Sequence, residues 1–190
     1  MHSTERYRMT EVIDVLDEIL NAETGYARIF DLTATPLVCS NLVRQFCENN
    51  ACGKYGANWT CPPAVGSTDE CMEKIAKYSK ALIFRSEYDV NEWYDYKRIE
   101  ETLYLHQANV RRIRYMVSNM LDDYLVLSGG GCVYCERCAY SDSKECRHPD
   151  ISIPPIEAYC IDLFVFAKKN NIVYGSPEGK QYYFGMILFN

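Results

Sequence analysis

The sequence predicts an α/β protein: a single small sheet with helices packed on it and two irregular cysteine-rich loops at its edge. Three observations carry this reading. Segments with apolar residues at helical spacing alternate with short runs of β-branched and aromatic residues, the pattern of helices laid on a sheet. No internal repeat or low-complexity linker divides the chain, so residues 1–190 read as one domain. Seven of the ten cysteines fall in two aperiodic stretches, 47–63 and 129–149.

The elements follow in order. Val12, Ile13, Leu16, Ile19 and Leu20 form one helical stripe over Thr10–Ala22. Tyr26–Thr33 alternates as a strand does, and a short helix is expected over Ser40–Phe46. Ser67 and Glu70 have the spacing of a capping box for a helix running to Tyr78. Ala81–Glu87 reads as a buried strand. The long segment Tyr94–Asp122 carries Ile99, Leu103, Val110, Ile113, Val117 and Leu121 at helical spacing. Tyr124–Leu127 is a short strand feeding the Gly129-Gly130-Gly131 turn. Pro154 and Pro155 suit the entry of a helix over Ile156–Lys169, and Tyr182–Phe189 closes the sheet.

Apolar residues make up 48% of the chain and charged residues 24%, enough for a core that stands without staples. A net charge of −6 argues against a nucleic-acid partner, because binding phosphate needs a basic field. The one basic cluster, Arg111, Arg112 and Arg114, is expected on the solvated side of its helix; a docking patch for an acidic redox partner is the second reading. The N-terminal segment has no apolar signal core, and nowhere do about 18 apolar residues run together. The expectation is a cytoplasmic chain, outside the membrane, whose thiols are kept reduced. Ten cysteines are then more economically metal ligands than disulfides. The residues do not indicate an oligomeric state.

The strongest signal is Cys132, Cys135, Cys138 and Cys146. Two consecutive two-residue gaps place three sulfurs along one tight loop, with a fourth and then Pro149 following. Ferredoxins hold cubane iron–sulfur clusters with a comparable run, although there the fourth cysteine lies three residues on and precedes a proline. Cys47, Cys52 and Cys61 form a second group that ends in Pro62-Pro63 and lacks an obvious fourth ligand. Cys146 either completes the four-cysteine loop or, as the proline-linked cysteine of two-cluster ferredoxins does, serves the other group. Zinc is the rival metal: Cys132 with Cys135 and Cys138 with Cys146 could supply the two pairs of a tetrahedral site.

The other candidates carry less. Cys71 and Cys160 lie on apolar stripes and read as small buried hydrophobes; Cys39 is left open. Gly129-Gly130-Gly131 lacks the Lys-Ser/Thr of a phosphate loop and instead lets backbone approach a metal centre. His148 adjoins a candidate ligand but reads as a loop histidine, and His106 as a satisfied residue at the core edge. No Ser/His/Asp arrangement stands out, and neither cysteine group has the Cys-x3-Cys-x2-Cys spacing of radical S-adenosylmethionine enzymes.

With these residues in view, the chain resembles a family of predicted metal-binding proteins of unknown function found mainly in anaerobic bacteria and archaea. The resemblance rests on Cys52-Gly53-Lys54-Tyr55-Gly56, Trp59-Thr60-Cys61-Pro62-Pro63, Gly131 through Tyr140, Cys146-Arg147-His148-Pro149 and Glu157-Ala158-Tyr159. Two positions depart from it: glycine is expected at Cys160, and a serine-methionine pair at Pro155-Ile156. The resemblance implies a metal, with iron–sulfur favoured, and no particular reaction. The functional expectation is a cytosolic protein with one or two 4Fe–4S clusters that transfers electrons to, or assists, a redox partner protein. A zinc-stabilised interaction module and an enzyme with an open-coordination cluster are the alternatives.

Overall fold

A computed structural model describes residues 24–92 and 94–190. The helix expected over Thr10–Ala22 lies outside the described residues. Four strands, β1 (Thr24–Asp31), β2 (Lys80–Asp89), β3 (Tyr124–Leu127) and β4 (Lys180–Phe189), form one antiparallel sheet in the order β1-β2-β4-β3. Among the described residues four α-helices accompany them: α1 (Asn41–Glu48), α2 (Thr68–Ile75), α3 (Tyr96–Ser118) and α4 (Leu163–Lys169).

The sheet is covered on both faces. Ala81, Ile83, Phe184, Met186 and Leu188 pack on one side with Cys71 and Ile75 of α2 and with Leu163, Phe166 and Ala167 of α4. Leu82, Phe84, Ile187 and Phe189 pack on the other with Val110, Ile113 and Val117 of α3. Two covered faces explain why the central strands read as continuous apolar runs and do not alternate with polar residues. Glycine interrupts β4 once, at Gly185, where a Cβ would lie 2.1 Å from the Phe84 ring; the ring occupies the room a side chain would take.

The helix ends follow their capping residues. Ser40 Oγ accepts from Leu42 N at 3.2 Å and starts α1. Ser67 and Glu70 form the expected capping box of α2, with Glu70 N to Ser67 Oγ at 3.2 Å and Ser67 N to Glu70 Oε2 at 2.7 Å. Asp95 caps α3 through Arg98 N. Beyond Asp31, whose carboxylate accepts from Thr33 N and Thr33 Oγ1, β1 turns away, so the strand ends two residues earlier than expected.

One expected helix is broken. Residues Ile156–Tyr159 form a 3-10 turn, and Cys160 adopts φ 62, the left-handed conformation that ends it. Ile161 then bridges to Cys39 before Asp162 caps α4 through Val165 N. Left-handed backbone suits glycine, which is the physical reason for expecting glycine at this position. The Cys160 side chain is wholly buried, as expected of a small hydrophobe.

Candidate metal centre

The four-cysteine loop is shaped at its root by one amide from α3. Gln107 is fully buried, and its Nε2 donates to the carbonyls of Gly130 at 3.2 Å and Gly131 at 2.9 Å while its Oε1 accepts from Val133 N at 3.1 Å. Beside it, buried His106 bonds Ser86 Oγ and the Phe184 carbonyl through its two ring nitrogens, and it is satisfied as expected. Its pKa is pushed down to about 4 by burial. The three-glycine turn thus shows its carbonyls to Gln107.

The stretch 47–63 forms the floor beneath this loop. Asn58 Nδ2 donates to the Cys132 carbonyl at 2.9 Å, and Cys132 N donates to Thr60 Oγ1 at 3.1 Å. Trp59 Nε1 reaches the Lys144 carbonyl at 2.9 Å, and its ring meets Tyr140 edge-on at 4.9 Å. Ser141 Oγ donates to the Ala57 carbonyl. Glycine is required at 131, because a Cβ there would stand 2.7 Å from Cys61 Sγ. The two cysteine stretches therefore touch through Cys61, Gly131 and Cys132.

Cys132, Cys135, Cys138 and Cys146 all line one cavity, together with Asn58, Trp59, Thr60, Tyr134, His148 and Ser152. Its volume is about 20 Å³. Cys146 thus stands with its own loop. His148 is exposed yet sits at this mouth, edge-on to Tyr134 at 4.7 Å. Burial raises the Cys132 thiol, while the amides of Tyr134 and Ile153 and the charge of Arg111 pull it back.

Arg111 corrects an expectation. Its guanidinium lies over the Tyr134 ring at 5.0 Å, and its Nη1 is buried with no hydrogen-bond partner. Arg114 donates to the Ser152 carbonyl at 3.1 Å. Only Arg112 is exposed; the other two turn inward because the loop after β3 folds over that side of α3.

Cys47, Cys52 and Cys61 form the second constellation. Cys47 sits at the end of α1, Cys52 is exposed in the turn beyond it, and Cys61 is buried before the cis Pro62–Pro63 peptide. Burial pushes the Cys47 thiol up to about 11, with the charges of Glu157 and Cys52 adding to the rise. Burial likewise lifts Cys61 to about 12, against a hydrogen bond from Thr60 and with Cys52 and Cys47 adding. Cys52 thus acts on both buried thiols, and Cys47 on Cys61. Cys39 lies exposed beside α1 and feels Cys160, while Cys71 packs in the core.

Among the described residues no three His, Cys, Asp or Glu side chains converge closely enough to chelate a single metal ion as they stand. The donor set nonetheless suits a thiolate-bound group: four sulfurs around one cavity, an orphaned guanidinium beside it, and a glycine that admits a fifth sulfur. Gln107, Asn58, Thr60 and Arg111 are supporting residues that sequence reasoning did not single out. A buried-face glutamine on α3 was a legible signal; the others act across distances that sequence does not show.

A family model described as predicted metal-binding protein (DUF2284) matches residues 31–189. No curated protein and no solved structure matches the chain. The match spans most of the 190 residues, and the chain belongs to this family of predicted metal-binding proteins.

Proposed function

We propose that this metal-binding protein is a cytoplasmic iron–sulfur protein that passes electrons to, or assists, a redox partner protein. Cys132, Cys135, Cys138 and Cys146 would hold one 4Fe–4S cluster, and Cys47, Cys52 and Cys61 would supply ligands to a second. The observation that carries the reading is that four thiols of one loop line a single cavity floored by the other cysteine stretch. The equal two-residue gaps between Cys132, Cys135 and Cys138 favour a cluster over a single ion.

A thiolate-bound cluster supplies one-electron transfer, at a potential anywhere in about −700 to +450 mV according to burial and hydrogen bonding. The residues present determine that setting. Arg111 offers positive charge near Cys132, and its buried Nη1 has no hydrogen-bond partner. Amides of Tyr134 and Ile153 directed at Cys132 favour the ionised sulfur. Tyr134 and His148 crowd the mouth and limit water. Tyr94 and Tyr96 are exposed and offer apolar surface to a partner. No helix among the described residues is long and apolar enough to cross a membrane.

The test is anaerobic purification followed by absorbance, iron and sulfide analysis. The expected outcome is a brown protein with broad absorbance near roughly 400 nm and equimolar iron and acid-labile sulfide. A colourless, folded preparation containing zinc in place of iron would replace this reading with a zinc-stabilised module.

A further inference from the structure

A second cavity lies where β4 meets the Gly129–Gly130 backbone, away from the four-cysteine loop. Its volume is about 320 Å³, within the range of small-molecule sites. Tyr174, Tyr182 and Tyr183 line it together with Glu157. The rings are held by their backs. Tyr174 stacks on Phe184 at 5.3 Å, Tyr183 stacks on His106 at 5.4 Å, and Arg85 covers one face of Tyr182 at 4.0 Å.

Glu157 is the anomaly. Among the described residues no ion pair or side-chain hydrogen bond meets its carboxyl, which takes a hydrogen bond only from its own backbone amide. The residue keeps partial exposure where it lines the cavity, yet desolvation lifts its pKa above the ordinary carboxyl value. Enclosed carboxyls normally find a partner, because losing water without one is costly. Here the carboxyl opens on a preformed space walled by aromatic rings. The complement of a carboxyl among π-faces is an organic cation, which gains a charge-assisted hydrogen bond and ring contact together. A metal ion is a poorer complement, since hard cations want several oxygen ligands and this cavity has one carboxylate.

We infer that this cavity binds a small molecule carrying a protonated nitrogen on or beside a flat apolar body, with Glu157 as the nitrogen's partner and the tyrosines as its walls. The charge of Glu157 also acts on Cys47, so the bound molecule would sit beside the first cysteine group. Binding itself does not rest on the iron–sulfur reading.

The experiment uses the intact, anaerobically purified protein and calorimetric titration with benzylamine, benzyl alcohol and benzoate. Benzylamine is expected to bind saturably at millimolar concentrations or below, with benzyl alcohol about tenfold or more weaker and benzoate silent. Glu157→Gln is expected to weaken benzylamine by about tenfold or more, the scale of one buried charge contact. Gly175→Phe gives an independent check. A Cβ at Gly175 meets nothing within 4 Å, so a ring there can fill the mouth without disturbing the fold, and it should abolish binding. The inference is overturned if benzylamine fails to bind, if benzoate binds as well as benzylamine, or if either folded variant binds like the parent. Iron and sulfide measured in the same samples keep the two proposals apart: their absence sinks the cluster whatever benzylamine does, and failure of benzylamine to bind sinks this site whatever the iron content.

Discussion

The two cysteine stretches solve opposite problems. In 129–149 the thiols stand half-exposed around a cavity, and burial raises the Cys132 thiol against the opposing pull of two backbone amides and Arg111. In 47–63 the anchor Cys61 is buried, and the Cys47 and Cys61 thiols are pushed up to about 11 and about 12. Only thiolates bind metal, so the difference teaches where ionisation is opposed: the loop of 129–149 presents its thiols at a cavity, whereas burial at Cys47 and Cys61 resists the loss of the protons that binding would displace.

The largest expected effect breaks the comparison directly. Cys135→Ser should remove the metal of the four-cysteine loop, and Cys52→Ser only that of the first group. Iron and sulfide per chain then fall by about half in each case if both sites carry clusters. Equal and total loss in both variants would mean one shared centre. Burial at Cys47 and Cys61 makes loading of that group proton-coupled, so reconstitution of Cys135→Ser, which keeps it, should improve as pH rises from 7 to 9.

His106 tests the root of the open loop, because Gly129 N approaches its Nε2 at 3.5 Å. Its folded pKa of about 4 lies below the unfolded value of 6.5, so the unfolded chain binds the extra proton first. Its contribution is complete above pH 6.5 and is lost as pH falls toward 4, amounting to about 3 kcal/mol. Denaturant unfolding across that range should show the loss, and His106→Gln should flatten it. Next, Gly131→Ala would force the two stretches apart at Cys61. Overpacking of this kind costs about 1–3 kcal/mol, and it should disturb both metal contents at once. Smallest is Ser67→Ala, which removes the α2 cap for about 1 kcal/mol and should leave both cysteine groups loaded.

The sheet and its helices were legible because both faces are apolar and the caps carry their own chemistry. Ala81–Glu87, Tyr124–Leu127 and Tyr182–Phe189 each fall inside an observed strand. Ser67 with Glu70 predicted its own hydrogen bonds. The Ile156–Lys169 helix failed at Cys160, whose left-handed backbone carries no warning in a residue type that usually avoids it. Arg111 was misplaced because a helical wheel cannot show a loop that folds back over it. That Cys132, Cys135, Cys138 and Cys146 share one cavity was legible from their spacing. The contact between Cys61 and Gly131 was not, since 70 residues and two of the four strands separate them along the chain.

The position of β4 has a further consequence, for synthesis. Both β2 and β3 pair with it, ten residues against ten in the first case, so neither has its main neighbour until residues 180–189 exist. Contacts this distant along the chain form late. Every cysteine emerges from the ribosome before the sheet that will shelter it can close. A nascent chain in air would therefore present ten bare thiols to oxidation, and the choice between metallation and damage is made before the fold is complete.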